Sequence, residues 1–125
     1  MSVLTQALTD FGRDIGIDHL QERPEGGVQL RLDNGDVLGV QQQAEDVVVH
    51  YAHACSFDAP ARLLKAMKLS HAVTSDAAMV QVGLRETPQV RWLVLAQRVP
   101  AMGFNARQMH QVLGYLQECV RQTAA

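Results

Sequence analysis

The stretch VQLRLDNGDVLGVQ, residues 28–41, decides the fold. Val28, Leu30 and Leu32 alternate with Gln29 and Arg31, the period of a strand with one buried face. Asp33-Asn34-Gly35-Asp36 then interrupts the alternation. Asn-Gly tolerates the positive φ angles of a two-residue type I′ turn, so the spacing predicts a hairpin whose second strand runs from Val37 to Gln41. Gln42 to Asp46 is a polar turn, and Val47 to Ala52, rich in β-branched residues, is a third strand. The three form an antiparallel meander.

Upstream, HLQERPEGG (residues 19–27) is polar and carries Pro24 and a Gly-Gly turn, which marks a connector. Before it, Leu4, Leu8, Phe11 and Ile15 form one apolar stripe on a helix from Val3 to Ile15, with Asp10, Arg13 and Asp14 on the other side. Gly16 offers a stop.

Downstream, Asp58 caps a helix from Ala59 to Ser70 that tolerates Pro60 in its first turn and carries Leu63, Leu64 and Met67. Ala78, Val80, Val82 and Leu84 alternate as a fourth strand, and Glu86-Thr87-Pro88-Gln89 is a turn. Val90 to Ala96 is almost entirely apolar, which predicts a fifth strand covered on both faces. The last helix, Ala106 to Arg121, has Asn105 as N-cap, Gln108 three residues on, and a Phe104/Met109 staple. Met109, Val112, Leu113, Leu116 and Val120 line its apolar face. The predicted order is α-β-β-β-α-β-β-α, an α+β domain over residues 1–125 with helices packed on an antiparallel twisted sheet.

Composition agrees. The chain has 125 residues, 47% hydrophobic and 19% charged, which suits a buried core and excludes disorder. Six aromatic residues leave the core to Leu, Val, Ala and Met. No run approaches the roughly 20 apolar residues of a membrane helix. The N-terminus lacks the basic region of a signal peptide, so a cytoplasmic, membrane-free protein is expected. Cys55 and Cys119 lie 64 residues apart, which fits a reducing compartment. Net charge is −2, unevenly spread: −7 over residues 1–60 and +5 over residues 61–125. The basic residues come singly and without aromatic platforms, so no nucleic-acid partner is expected.

No catalytic constellation emerges. His50 and His53, three apart in a strand, point to opposite faces and cannot share a metal; His53 and Cys55 share a face but are too few. Cys119, among Leu116 and Val120, is a small buried side chain. Asp33, Asp36, Glu45 and Asp46 are turn carboxylates, expected in solvent, and lack the twelve-residue calcium-loop pattern. No phosphate-binding glycine motif is present. Trp92, in mid-strand, reads as core before it reads as a binding residue. No enzyme activity, metal or other cofactor is therefore expected.

From LTQALTDFGRDIGI through RWLVLAQRV to NARQMHQVLGYLQECV, the whole chain resembles the class I type III secretion chaperones, the group that includes the chaperone of the translocated intimin receptor. The resemblance implies a bacterial cytoplasmic homodimer. It would bind the N-terminal region of a secreted effector in extended form and keep it soluble for export, without hydrolysing nucleotide. It also implies a two-fold interface on the second helix and its neighbouring strands: Leu63, Leu64, Met67, Val80 and Trp92. The effector is expected against the first helix and the meander, at Leu4, Leu8, Val28, Leu30 and Leu38, adding a strand to a sheet edge. The acidic first half would favour a segment that is not itself acidic. The rival reading is a small α+β regulatory or ligand-sensing domain.

Overall fold

A computed structural model describes residues 3–16, 21–22, 27–32, 34–55, 58–72 and 80–123. Three helices, α1 (Val3–Asp14), α2 (Ala59–Ala72) and α3 (Ala106–Thr123), accompany six strands. These are β1 (Gln21–Glu22), β2 (Gly27–Arg31), β3 (Val37–Gln43), β4 (Asp46–Cys55), β5 (Val80–Glu86) and β6 (Arg91–Pro100). Apart from β1, the order is the one the sequence predicts. Asp33, Pro24, Gly26 and Ala78, named above, lie outside the described residues.

The strands form one antiparallel sheet in the order β1-β2-β3-β4-β6-β5. Cross-strand register builds its core row by row. Leu30, Leu38, Tyr51, Leu95 and Val82 stand opposite one another on one face. In the next row of that face stand Val28, Val40, Val49, Gln97 and Val80. Phe11, Met109 and Leu116, all fully buried, join the same cluster from the helices. Each such side chain contributes about 1.5–3 kcal/mol of hydrophobic stabilisation. α3 starts as predicted: Asn105 Oδ1 accepts from the Gln108 amide at 3.0 Å, and its carbonyl from Met109 at 3.1 Å.

Four expectations are corrected. The first hairpin does not close with a type I′ turn, which needs positive φ at both central residues. Only Gly35 is positive there (φ 89°). Leu32 and Asp36 close a three-residue loop instead, with the Leu32 amide donating to Asp36 O at 2.8 Å. Second, the connector contributes β1, which pairs Glu22 with Val28 and Gln21 with Gln29. The outer edge of β2 is thus partly occupied, and strand addition there would compete with β1. Third, β6 is fully covered on one face only. Leu93, Leu95 and Gln97 are buried, whereas Trp92, Val94 and Ala96 are half-buried, so Trp92 is outside the core. Fourth, Asp36 is not a solvated turn carboxylate; it is 3% exposed.

Candidate partner-binding surface

Because strand side chains alternate, every strand of the meander presents a second set of residues away from the helices. Register assembles that set into rows as well. One row is Arg31, Val37, Ala52, Val94 and Gly83. The next is Gln29, Gly39, His50, Ala96 and Gln81. Beyond the first row, Trp92 stands between Ala54 and Arg85. Part of this set shapes a groove of about 420 Å³, lined by Val37, Gly39, Ala52, Val94 and Trp92, with Arg31, Arg85, His50 and Gln41 around it. Partial burial holds the His50 imidazole below its ordinary pKa of 6.5, so the groove favours its neutral form. Arg31 and Arg85 form no ion pair with a described residue. A groove of this kind offers apolar contact below and positive charge around it, the chemistry of a binding surface.

The polar centre of the molecule is elsewhere, on the helix side. Asp36 Oδ2 accepts from the Tyr51 phenol at 2.5 Å and from Asn34 Nδ2 at 3.1 Å, and Oδ1 lies 2.8 Å from His53 Nδ1. The far ring nitrogen, His53 Nε2, is 2.9 Å from Arg62 Nη1. Arg62 also donates to Thr123 Oγ1 at 3.1 Å and to the Val120 carbonyl at 3.2 Å. This chain of bonds ties the first hairpin, β4, α2 and the end of α3 together. Its members satisfy one another, which makes it a tie between elements distant in sequence. Burial and the Asp36 hydrogen bond push the Tyr51 phenol above its usual pKa.

His50 and His53 do face opposite sides of β4, one toward the groove and one toward Asp36. Among the described residues, no three His, Cys, Asp or Glu side chains are grouped to hold a metal. Cys55 and Cys119 are both free thiols, and burial raises both pKa values. No described helix is long and apolar enough to cross a membrane.

The predicted partner residues fall mostly on the helix side. Leu8 and Leu38, 3% and 1% exposed, and Leu30 belong to the core, and Val28 packs against it half-buried. The side chain of Leu4 lies outside the described residues. The predicted interface residues divide similarly. Leu64 and Met67 are exposed, at 54% and 45%. Leu63 packs against the core, Val80 is buried within it, and Trp92 lines the groove. The groove residues Arg31, Val37, Gly39, Ala52 and Val94 were missed. The available signal was that the second sets of β3 and β4 include Val37, Gly39, Ala52 and Ala54, small or apolar instead of charged.

The three-dimensional comparison identifies the fold. The chain superposes on the Yersinia pestis type III secretion chaperone SycH, solved in complex with a stable fragment of YscM2. The TM-score is 0.69 at 12% identity, over 98% of this chain and 100% of SycH. The structure of the HopA1–SchA chaperone–effector complex matches at TM-score 0.67 and 18% identity, over 96% and 91% of the two chains. E. coli YbjN, a proposed transcription regulator, matches at TM-score 0.59 and 12% identity, covering 98% and 88%. No protein-family model and no curated protein matches the sequence. The chain therefore has the fold of the type III secretion chaperones, as the resemblance implied.

Proposed function

We propose that this protein is a cytoplasmic homodimeric chaperone that holds the N-terminal region of a secreted effector in extended form and has no catalytic activity. The observation that carries this reading is the apolar sheet face opposite the helices, which no described element covers. A monomer with no partner gains nothing from presenting Val37, Ala52, Val94 and Trp92 together on that side. The fold shared with SycH and SchA supplies the context. The partner segment lies on the meander, where the sequence placed it, but contacts the alternate residues of the same strands. Val28, at the rim of the groove, belongs to both descriptions. Leu64 and Met67 supply the exposed apolar surface of the two-fold contact.

The test is co-expression with the N-terminal region of a candidate type III secreted effector. The effector's N-terminal region, insoluble alone, becomes soluble and co-purifies with this chain. Equal solubility with and without it would sink the proposal. The likeness to YbjN supports the second reading, a small regulatory domain of the same architecture. Such a domain would leave the effector region unbound.

A further inference from the structure

Two glycines stand inside strands on the helix-free face, and neither has the positive φ angle that demands glycine. A Cβ on Gly39 would meet only the His50 Cβ, at 3.8 Å, an ordinary contact. A Cβ on Gly83 would meet nothing within 4 Å. Glycine weakens a strand interior, and where the fold itself leaves room for a side chain, it marks the close approach of something else. Gly39 lines the groove beside Val37, Ala52 and Val94, and Gly83 extends the row that Val94 belongs to. Arg31 and Arg85 stand at the groove without a carboxylate partner among the described residues.

We propose, resting on the chaperone reading above, that this groove takes an extended effector segment in which bulky aliphatic side chains are flanked by carboxylates. The aliphatic side chain seats over Gly39, against Val37, Ala52, Val94 and the Trp92 indole. The carboxylates pair with Arg31 and Arg85 at the rim. This reverses the expectation from total charge: the first sixty residues are acidic overall, yet the cations at the groove are the ones a partner meets. Gly39 keeps the groove open, and the arginines select the sequence that fills it.

The chain has one tryptophan, and it lines the groove, so its emission reads occupancy directly. The probes are short synthetic peptides with leucines at alternate positions, flanked by glutamates in one and lysines in the other. The glutamate peptide shifts Trp92 emission to the blue and binds at least about tenfold tighter than the lysine peptide. Gly39→Val abolishes the response while the thermal midpoint stays at or above the wild-type value. Gly39→Ala, which needs less room, serves if the valine variant is unfolded. Arg31→Glu combined with Arg85→Glu reverses the preference. An unchanged response in the folded glycine variants, or equal binding of both peptides, overturns the proposal. So does a Trp92 shift that follows protein concentration alone, because a second copy would then fill the groove. Co-expression separates the two levels. If Gly39→Val still solubilises the effector region, the groove assignment fails and the chaperone reading stands. If the wild type binds the glutamate peptide but no effector region, the chaperone reading fails and the groove stands.

Discussion

Arg62 on α2 reaches His53 on β4, with Nη1 2.9 Å from Nε2. A guanidinium has no acceptor, so Nε2 accepts and Nδ1 donates to Asp36. The order of donors along the chain is thereby set, from Arg62 through His53 to a carboxylate that also receives the Tyr51 phenol. One helix, one strand and a hairpin loop are held in register by side chains that are far apart in sequence.

Removing a member of this chain costs stability without touching the groove. Tyr51→Phe leaves the buried Asp36 carboxylate one donor short, and a hydrogen bond to a charged group is worth about 1.5–3 kcal/mol. Asp36→Ala costs at least as much, because it leaves both Tyr51 and His53 without their acceptor. Urea unfolding of the two variants measures both losses. A change below about 0.5 kcal/mol in either would remove the network from the account of stability.

The exposed pair on α2 predicts the oligomeric state. Leu64→Asp places a charge in the proposed two-fold contact and weakens the dimer at least about tenfold. It leaves the thermal midpoint of the monomer nearly unchanged, since Leu64 is 54% exposed. Leu63→Asp is the contrast: Leu63 packs against the core, so that variant loses stability. Sedimentation equilibrium over a concentration series distinguishes the cases. A wild-type monomer throughout would contradict the interface.

His50 gives the pH dependence a direction. Its folded pKa is depressed by burial, so the unfolded chain takes up the proton first as pH falls below about 6.5. The stability this group contributes is fully present above that pH and declines as pH falls toward the lower folded value. His50→Gln removes this part of the slope. Unfolding free energies at neutral and mildly acidic pH, compared between wild type and variant, check it. Identical slopes would mean the imidazole is equally solvated in both states.

Much of the fold was legible because its signals are local. The helical spacing of Leu8 and Phe11, the Asn105 cap and the alternation around Leu30 and Leu38 need only neighbouring residues to be read, whereas Ile15, placed on the same stripe, lies past the end of α1 and is exposed. The hairpin was legible but not its turn geometry, since Asn-Gly is compatible with more than one loop closure. β1 was hidden because two residues carry no period.

The site was legible at the level of strands and not of faces. Alternation divides β2 and β3 into two sets, and the sequence favours the more apolar one, Val28, Leu30 and Leu38, for the partner. The helices cover that set, since burying the larger side chains removes more apolar surface from water. Asp36 was hidden for a related reason: its partners Tyr51 and His53 come from another strand, and no local pattern records them. The amino-acid sequence by itself determined the order of the elements other than β1, the helix starts and the antiparallel hairpins, because periods and caps act within a few residues. Which face the helices cover, which carboxylate is buried and where Arg31, Gly39, Val94 and Trp92 meet were decided only by tertiary structure. Cross-strand register and helix packing are long-range choices made by the whole core at once.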